Sequence, residues 1–156
     1  PSAGRAFSWE LLFKLKKKGI QIDFIQLHTG LSYLLEDHVD PKENPEEYHI
    51  SAHTMEKIIK THSSGNKVIT VGTTVVRALE SAARNGELSG ATNLYINQES
   101  SLQIVDRIIT GLHEPNASHL DMLTAFLPEH QLVHAYNQAI QEGYLWHEFG
   151  DMNLIL

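Results

Sequence analysis

The sequence predicts an α/β domain, with a mostly parallel or mixed sheet covered by helices. Two observations carry that prediction. Lys67 to Val71 (KVITV) is a short β-branched run that ends in Gly72-Thr73-Thr74 and passes directly into a helical stretch, Val75 to Arg84. A second helical stretch precedes it, so the order is helix, strand, helix with short joints. That spacing lays helices on the faces of a sheet. At 156 residues, 42% hydrophobic and 20% charged, the chain suits one domain with its own core, so residues 1–156 are read as a single α/β domain.

The elements follow in order. Residues 1–7 (PSAGRAF) are small and turn-like. A helix is expected from Trp9 to Lys18, capped by Ser8, with Phe7 and Leu12 as a hydrophobic staple and Gly19 closing it. Ile20 to Leu27 (IQIDFIQL) is β-rich with loose alternation, which predicts a buried strand. The acidic residues 36–47 hold two prolines and form a loop, and Glu47 to Ile50 make a short strand. Ser51 to His62 places Met55, Ile58, Ile59 and His62 on one helical stripe, ended by Ser63-Ser64-Gly65-Asn66. Beyond Gly86 and Gly90, Thr92–Ile96 and Leu102–Val105 are expected as a hairpin or edge pair. Gly111 to Ala117 reads as an irregular loop. Ser118 and Asp121 form a capping-box pair opening a helix to Leu127. Pro128 begins the next helix, which ends near Glu142-Gly143, and the tail from Tyr144 returns to the sheet.

Composition excludes several classes. There is no cysteine, so neither a disulfide framework nor a thiolate nucleophile is available, and a cytoplasmic location is expected. No apolar run approaches the eighteen residues of a membrane span, and no signal peptide is visible. The net charge of −7 does not advertise nucleic-acid binding. Phosphate contacts would then fall to a local basic rim or to another domain. Pro1 is not an initiator residue, so the chain is expected to be part of a longer protein.

Three constellations can carry chemistry. Val71 to Arg77 (VGTTVVR) brings a strand into Gly72, Thr73 and Thr74 at a helix start. Free N–H groups there suit a carboxylate, a phosphate or a ribose, with Arg77 one turn on. The same residues also fit a plain helix cap with Arg77 on the surface. Gly111 to Pro115 (GLHEP) offers His113 and Glu114 for proton transfer or ribose contacts, though adjacent side chains need not converge, or is an ordinary loop. Glu47, where the acidic loop re-enters ordered structure, is a general base, a hydroxyl-binding carboxylate or part of a solvated charge run. The ten histidines invite a metal, but HExxH is absent because Pro115 follows His113-Glu114, and no metal is expected. There is no GxSxG elbow and no phosphate-binding glycine loop.

Taken in order, these segments resemble the S-adenosylmethionine:tRNA ribosyltransferase-isomerase family of queuosine biosynthesis. Pro1-Ser2-Ala3-Gly4-Arg5-Ala6-Phe7 is similar to the family's P-T-A-G-L-H-F. Leu27 through Tyr33 resembles L-H-V-G-x-G-T-F with one residue fewer, and Asn44 through Ile50 resembles M-H-x-E-x-x-x-I. Val68 to Ser81 nearly reproduces V-I-A-V-G-T-T-x-x-R-x-L-E-S. Val105-Asp106 through Thr110-Gly111-Leu112-His113-Glu114-Pro115 to Leu120 resembles V-D-x-L-x-T-N-F-H-L-P-x-S-T-L. The closing motif resembles Ala135-Tyr136, Ala139, Tyr144 and Phe149-Gly150-Asp151-Met152.

The resemblance spans essentially the whole chain. It implies a three-layer α/β sandwich forming the C-terminal portion of a two-domain protein, whose N-terminal half carries an inserted β-barrel. It implies transfer and isomerisation of the ribosyl part of S-adenosylmethionine, the co-substrate, onto a deazaguanine base in tRNA, with adenine and methionine released. Glu47, Asp106 and His113 become the expected catalytic groups. His28, Gly30, Gly72, Thr73, Thr74 and Arg77 become the expected adenosylmethionine contacts. The tRNA partner is expected only with the N-terminal portion present. Departures fall in loops: Arg5-Ala6 stand for Leu-His, Pro45 for the histidine before the motif glutamate, Gly111 for asparagine and Glu114 for leucine, and a second glycine is missing after Gly30. An enzyme of related chemistry with another substrate, or a binding module, would carry the same departures.

Overall fold

The computed structural model describes residues 2–28, 45–113, 118–146 and 150–156. The fold is α/β, with helices flanking two three-stranded sheets. A 3-10 turn over Ser2–Ala6 leads into α1, Trp9–Lys17, whose first N–H groups are served by Ser8: Leu11 N donates to Ser8 Oγ at 3.2 Å. Then come β1 (Gln26–His28), β2 (Glu46–His49) and α2 (Ala52–Ser63, capped by Ser51). The central segment is β3 (Ile69–Val71), α3 (Thr73–Asn85) and β4 (Ser89–Thr92). The last elements are β5 (Arg107–Gly111), α4 (Ser118–Leu123), α5 (Glu129–Gln141) and β6 (Met152–Ile155).

The two sheets differ in kind. One is antiparallel, ordered β1-β2-β4; the other is mixed, ordered β3-β5-β6, with β3 parallel to β5 and β6 antiparallel to it. Helix α3 lies against strands of both sheets and is the most buried helix, contributing Val76, Ala78, Leu79 and Ala82 to the core. Its amphipathic sequence explains this: small and branched residues pack inward, and Gly86, at φ 74°, stops it in the left-handed conformation. One contiguous core joins Tyr48 and Ile50 on one side to Ile108, Leu132, Tyr136 and Ile155 on the other. Among the described residues no helix is long and apolar enough to cross a membrane.

Three local expectations change. The buried strand over Ile20–Leu27 shrinks to Gln26–His28, because β2 offers partners only from there, and Ile20 and Phe24 stay exposed. Upstream, Asp23 bonds the Phe24 N–H and Lys57 instead. The pair Thr92–Ile96 and Leu102–Val105 does not form. The strand lies earlier, at Ser89–Thr92, and the amides of Gln103, Ile104 and Val105 are consumed by the buried Glu80 carboxylate. Finally, the helix opened at Ser118 stops at Leu123, where Thr124 to Phe126 turn, and Pro128 begins α5.

Candidate functional site

The site begins at the carboxyl edge of the parallel pair β3–β5. Val71 stands opposite Ile109, and Gly72 N donates to Ile109 O at 2.8 Å. Gly72 then turns at φ 96° and ψ 147°, a conformation nearly restricted to glycine, and α3 starts at Thr73. Among the described residues no side chain caps this helix, and its leading N–H groups are not spent on Thr73 or Thr74 hydroxyls. The threonines are therefore not the cap that the sequence also allowed. Buried Ala3, from the N-terminal 3-10 turn, packs beside Gly72.

The neighbouring strand supplies His113, two residues past the end of β5. Its Nε2 lies 2.9 Å from the buried Thr110 Oγ1, and its backbone N–H donates to Tyr136 Oη at 3.4 Å. Tyr136 on α5 packs its ring against Trp146, with centroids 5.6 Å apart. Burial pushes the Tyr136 phenol above its ordinary pKa, with the His113 N–H and Asn153 working the other way. Thr110 thus holds the imidazole and Tyr136 the main chain of His113, at the same edge as the Gly72 turn.

Arg77, one turn along α3, faces the antiparallel sheet. Its Nη2 lies 2.6 Å from Glu46 Oε2, and both side chains are largely buried. This contact is ionic rather than a well-aligned hydrogen bond, since no donor is aimed at Glu46 Oε2 among the described residues. Strand alternation selects Glu46. It shares a face with the buried Tyr48, whereas Glu47 points outward together with His28 and His49.

The sequence-derived residues therefore divide. Gly72, Thr73, Thr74 and His113 share one sheet edge, and Arg77 lies one turn away. Glu47 and His28 stand opposite each other on the exposed face of the antiparallel sheet. Asp106 precedes β5 at the far end of the strand, roughly 16 Å from its carboxyl edge. Its carboxylate binds Lys67 Nζ at 2.8 Å, His62 Nε2 at 2.9 Å and the Val68 N–H at 2.8 Å, and so clamps α2 to the mixed sheet. Gly30, the rest of the acidic loop through residue 44, Glu114, Pro115 and Phe149 lie outside the described residues. Glu46, Thr110 and Tyr136 were missed by sequence reasoning. Glu46 left a signal in its two-residue spacing from a tyrosine, and Thr110 and Tyr136 stand in the family-like motifs, but nothing in the sequence ties them to His113. Among the described residues no group of three His, Asp or Glu can hold a metal ion.

Comparison with known proteins bears on this geometry. The chain is 38% identical over 160 residues to the S-adenosylmethionine:tRNA ribosyltransferase-isomerase of Sulfurihydrogenibium sp. (strain YO3AOP1), covering 100% of this chain and 48% of that protein. It is 39% identical over 163 residues to the protein of that name from Trichormus variabilis, covering 100% of this chain and 40% of the relative. The crystal structure of S-adenosylmethionine tRNA ribosyltransferase from Thermotoga maritima superposes with a TM-score of 0.85 at 34% identity, over 99% of this chain and 51% of that one. The chain thus spans about half the length of these relatives. With a match to the Queuosine biosynthesis protein family over residues 1–155, the chain belongs to that family.

Proposed function

We propose that this chain supplies the adenosylmethionine-gripping part of a ribosyl-transfer site. In the proposed reaction, the ribosyl part of S-adenosylmethionine passes to a deazaguanine base in tRNA and is isomerised there, with adenine and methionine leaving. The observation that carries this reading is the placement of an uncapped helix start, Gly72–Thr74, beside a braced imidazole, His113, at one sheet edge. Ligands of open α/β sheets bind at this end of the strands. The leading N–H groups of α3 suit the methionine carboxylate or ribose hydroxyls. His113 is the group for proton transfer, oriented by Thr110 and Tyr136. The sulfonium makes C5′ of the ribose electrophilic, so no covalent nucleophile is required of the protein. Arg77 is already matched by Glu46, so its role is to fix the course of α3 rather than to take the anion. Asp106, Glu47 and His28 fall outside the proposed site. The chain would act as one α/β domain of a longer two-domain protein.

Calorimetric titration with S-adenosylmethionine tests the grip, read alongside the amide resonances of Thr73, Thr74 and Val75. Binding with movement of those amides is expected. No heat and no movement would end the proposal. Activity is tested by replacing the matching half of the Thermotoga maritima relative with this chain and following adenine release in the presence of tRNA. A second reading, the same chemistry on another nucleoside, is favoured by the altered residues Arg5 and Ala6 in the N-terminal 3-10 turn and Gly111 at the end of β5. It predicts adenosylmethionine binding without tRNA-dependent adenine release.

A further inference from the structure

Helix α1 is unlike the rest of the molecule. Residues 5–18 hold five of the chain's twelve Lys and Arg residues (Arg5, Lys14, Lys16, Lys17 and Lys18) but only one of its nineteen acidic residues, Glu10. A strongly cationic segment therefore sits in a chain of net charge −7. None of the helix is fully buried. Leu11, Leu12 and Leu15 form its half-buried inner side. On the outer side Trp9 is 76% exposed and Phe13 60% exposed. At about 100° per residue these two aromatics lie side by side, one turn apart, with Lys16 and Lys17 flanking them. Lys14 is engaged by Glu10 at 2.6 Å, on the surface where such pairs count for little. No ion pair engages Lys16, Lys17 or Lys18 among the described residues.

The helix dipole accounts for lysines in a last turn. It gives no reason for a tryptophan and a phenylalanine on the solvent side of the same helix. Aromatic rings interleaved with cations are what a single-stranded polyanion with flat bases requires: rings stack on bases while ammonium groups follow the phosphates. An anionic membrane is the competing partner for a basic amphipathic helix. It fits less well, because the leucine side of α1 already faces the domain, leaving only two rings to insert.

We propose that the outer face of α1, formed by Trp9, Phe13, Lys16 and Lys17, is an RNA contact surface that stacks an unpaired base and binds the adjoining phosphates. The choice of RNA rests on the ribosyl-transfer reading above; the charge and exposure of the surface do not. This surface lies within the chain itself, so RNA contact need not wait for another domain.

The test is fluorescence anisotropy of a labelled tRNA transcript titrated with the 156-residue chain at several salt concentrations. The variants are Lys16→Glu with Lys17→Glu, and Trp9→Ala with Phe13→Ala, each checked for fold by circular dichroism. The lysine pair should lower the salt slope by about two, and the aromatic pair should weaken binding roughly 10-fold or more. Should a variant unfold, Lys16→Gln with Lys17→Gln and the quenching of Trp9 emission by RNA in a Trp146→Phe background, which leaves Trp9 as the one tryptophan, carry the test. Three results would overturn the proposal: tRNA binding that neither pair alters, binding of phosphatidylserine vesicles but not of tRNA, or a Trp9 shielded from acrylamide in the free protein because another segment or copy covers it. Adenosylmethionine binding, measured in parallel, separates the two claims. Loss of that binding with α1-dependent RNA binding intact would sink only the site reading, and the reverse would sink only this one.

Discussion

The carboxylate of Glu80, fully buried in α3, accepts the backbone N–H of Val105 at 3.0 Å. The same group accepts the N–H of Ile104 at 3.0 Å and that of Gln103 through both oxygens, while Arg84 approaches at 3.2 Å. One side chain thus satisfies three successive amides that would otherwise need a strand partner. It also sets the path into β5 and hence the position of His113. Glu80→Gln should cost about 3 to 5 kcal/mol, because the amide nitrogen would meet donors on a buried, charge-compensated site. Urea denaturation measures the loss. Hydrogen exchange should show the Gln103–Val105 amides losing protection first; uniform loss across the chain would contradict a local anchoring role.

Arg77 and Glu46 join α3 to the antiparallel sheet, and both are largely buried. Removing either partner leaves the other charged and poorly solvated. A double-mutant cycle with Glu46→Gln and Arg77→Met should give a coupling of about 1 to 3 kcal/mol. The parallel cycle with Glu47→Gln should give about zero, since Glu47 points to solvent. Equal couplings for the two glutamates would remove the assignment of Glu46 as the inward residue.

Asp106 gives the fold an acid limit. Burial pushes its pKa up, but Lys67, the Val68 N–H and His62 together outweigh burial and hold it at about 2, against an ordinary 3.8. A depressed carboxylate stabilises the fold fully above its unfolded pKa, and the benefit is lost as pH falls through the folded value. Stability should therefore drop between about pH 4 and pH 2, by about 1 to 2 kcal/mol once the solvent reaching Lys67 is allowed for. Asp106→Asn should remove that slope while lowering stability at neutral pH. A variant with an unchanged acid limb would show that other groups set it.

Periodicity and capping were legible where a residue's own neighbours decide its state. Ser8 caps the helix expected of it, the helical stripe after Ser51 formed, and the strand into Gly72 was plain from its branched residues. What could not be read depended on distant partners. Gln103 to Val105 look like a strand until Glu80, more than twenty positions earlier, takes their amides. Asp106 looks like a site acid because it lies in a family-like motif, and only the fold places Lys67 and His62 around it. The candidate site was half legible. Gly72 to Thr74 and His113 announce themselves, but Thr110 and Tyr136, though they stand in family-like motifs, show nothing in sequence that ties them to His113. Glu46 and Glu47 differ only in which face of β2 they occupy, so a one-residue slip in alignment exchanges a partner of Arg77 for a surface charge.

Two glycines with positive φ separate backbone need from general tolerance. Gly86 closes α3 at φ 74° and ψ 11°, a left-handed turn that asparagine also adopts. Gly72 sits at φ 96° and ψ 147°, which no side chain adopts without strain. Space is not the issue at Gly72, because a Cβ there would meet Ala3 Cβ at an ordinary 3.6 Å. Gly86→Asn should therefore cost less than about 1 kcal/mol, while Gly72→Asn should cost about 1 to 3 kcal/mol. The second change should also turn the leading N–H groups of α3 away from their present direction. On the proposed reading, adenosylmethionine affinity then falls by more than the stability loss alone explains, with the protein held fully folded at low temperature. Thermal melts and calorimetry on the two variants make the comparison. If Gly72→Asn loses stability but keeps full affinity, the α3 start is not the grip, and the search for it moves to His113 and its neighbours.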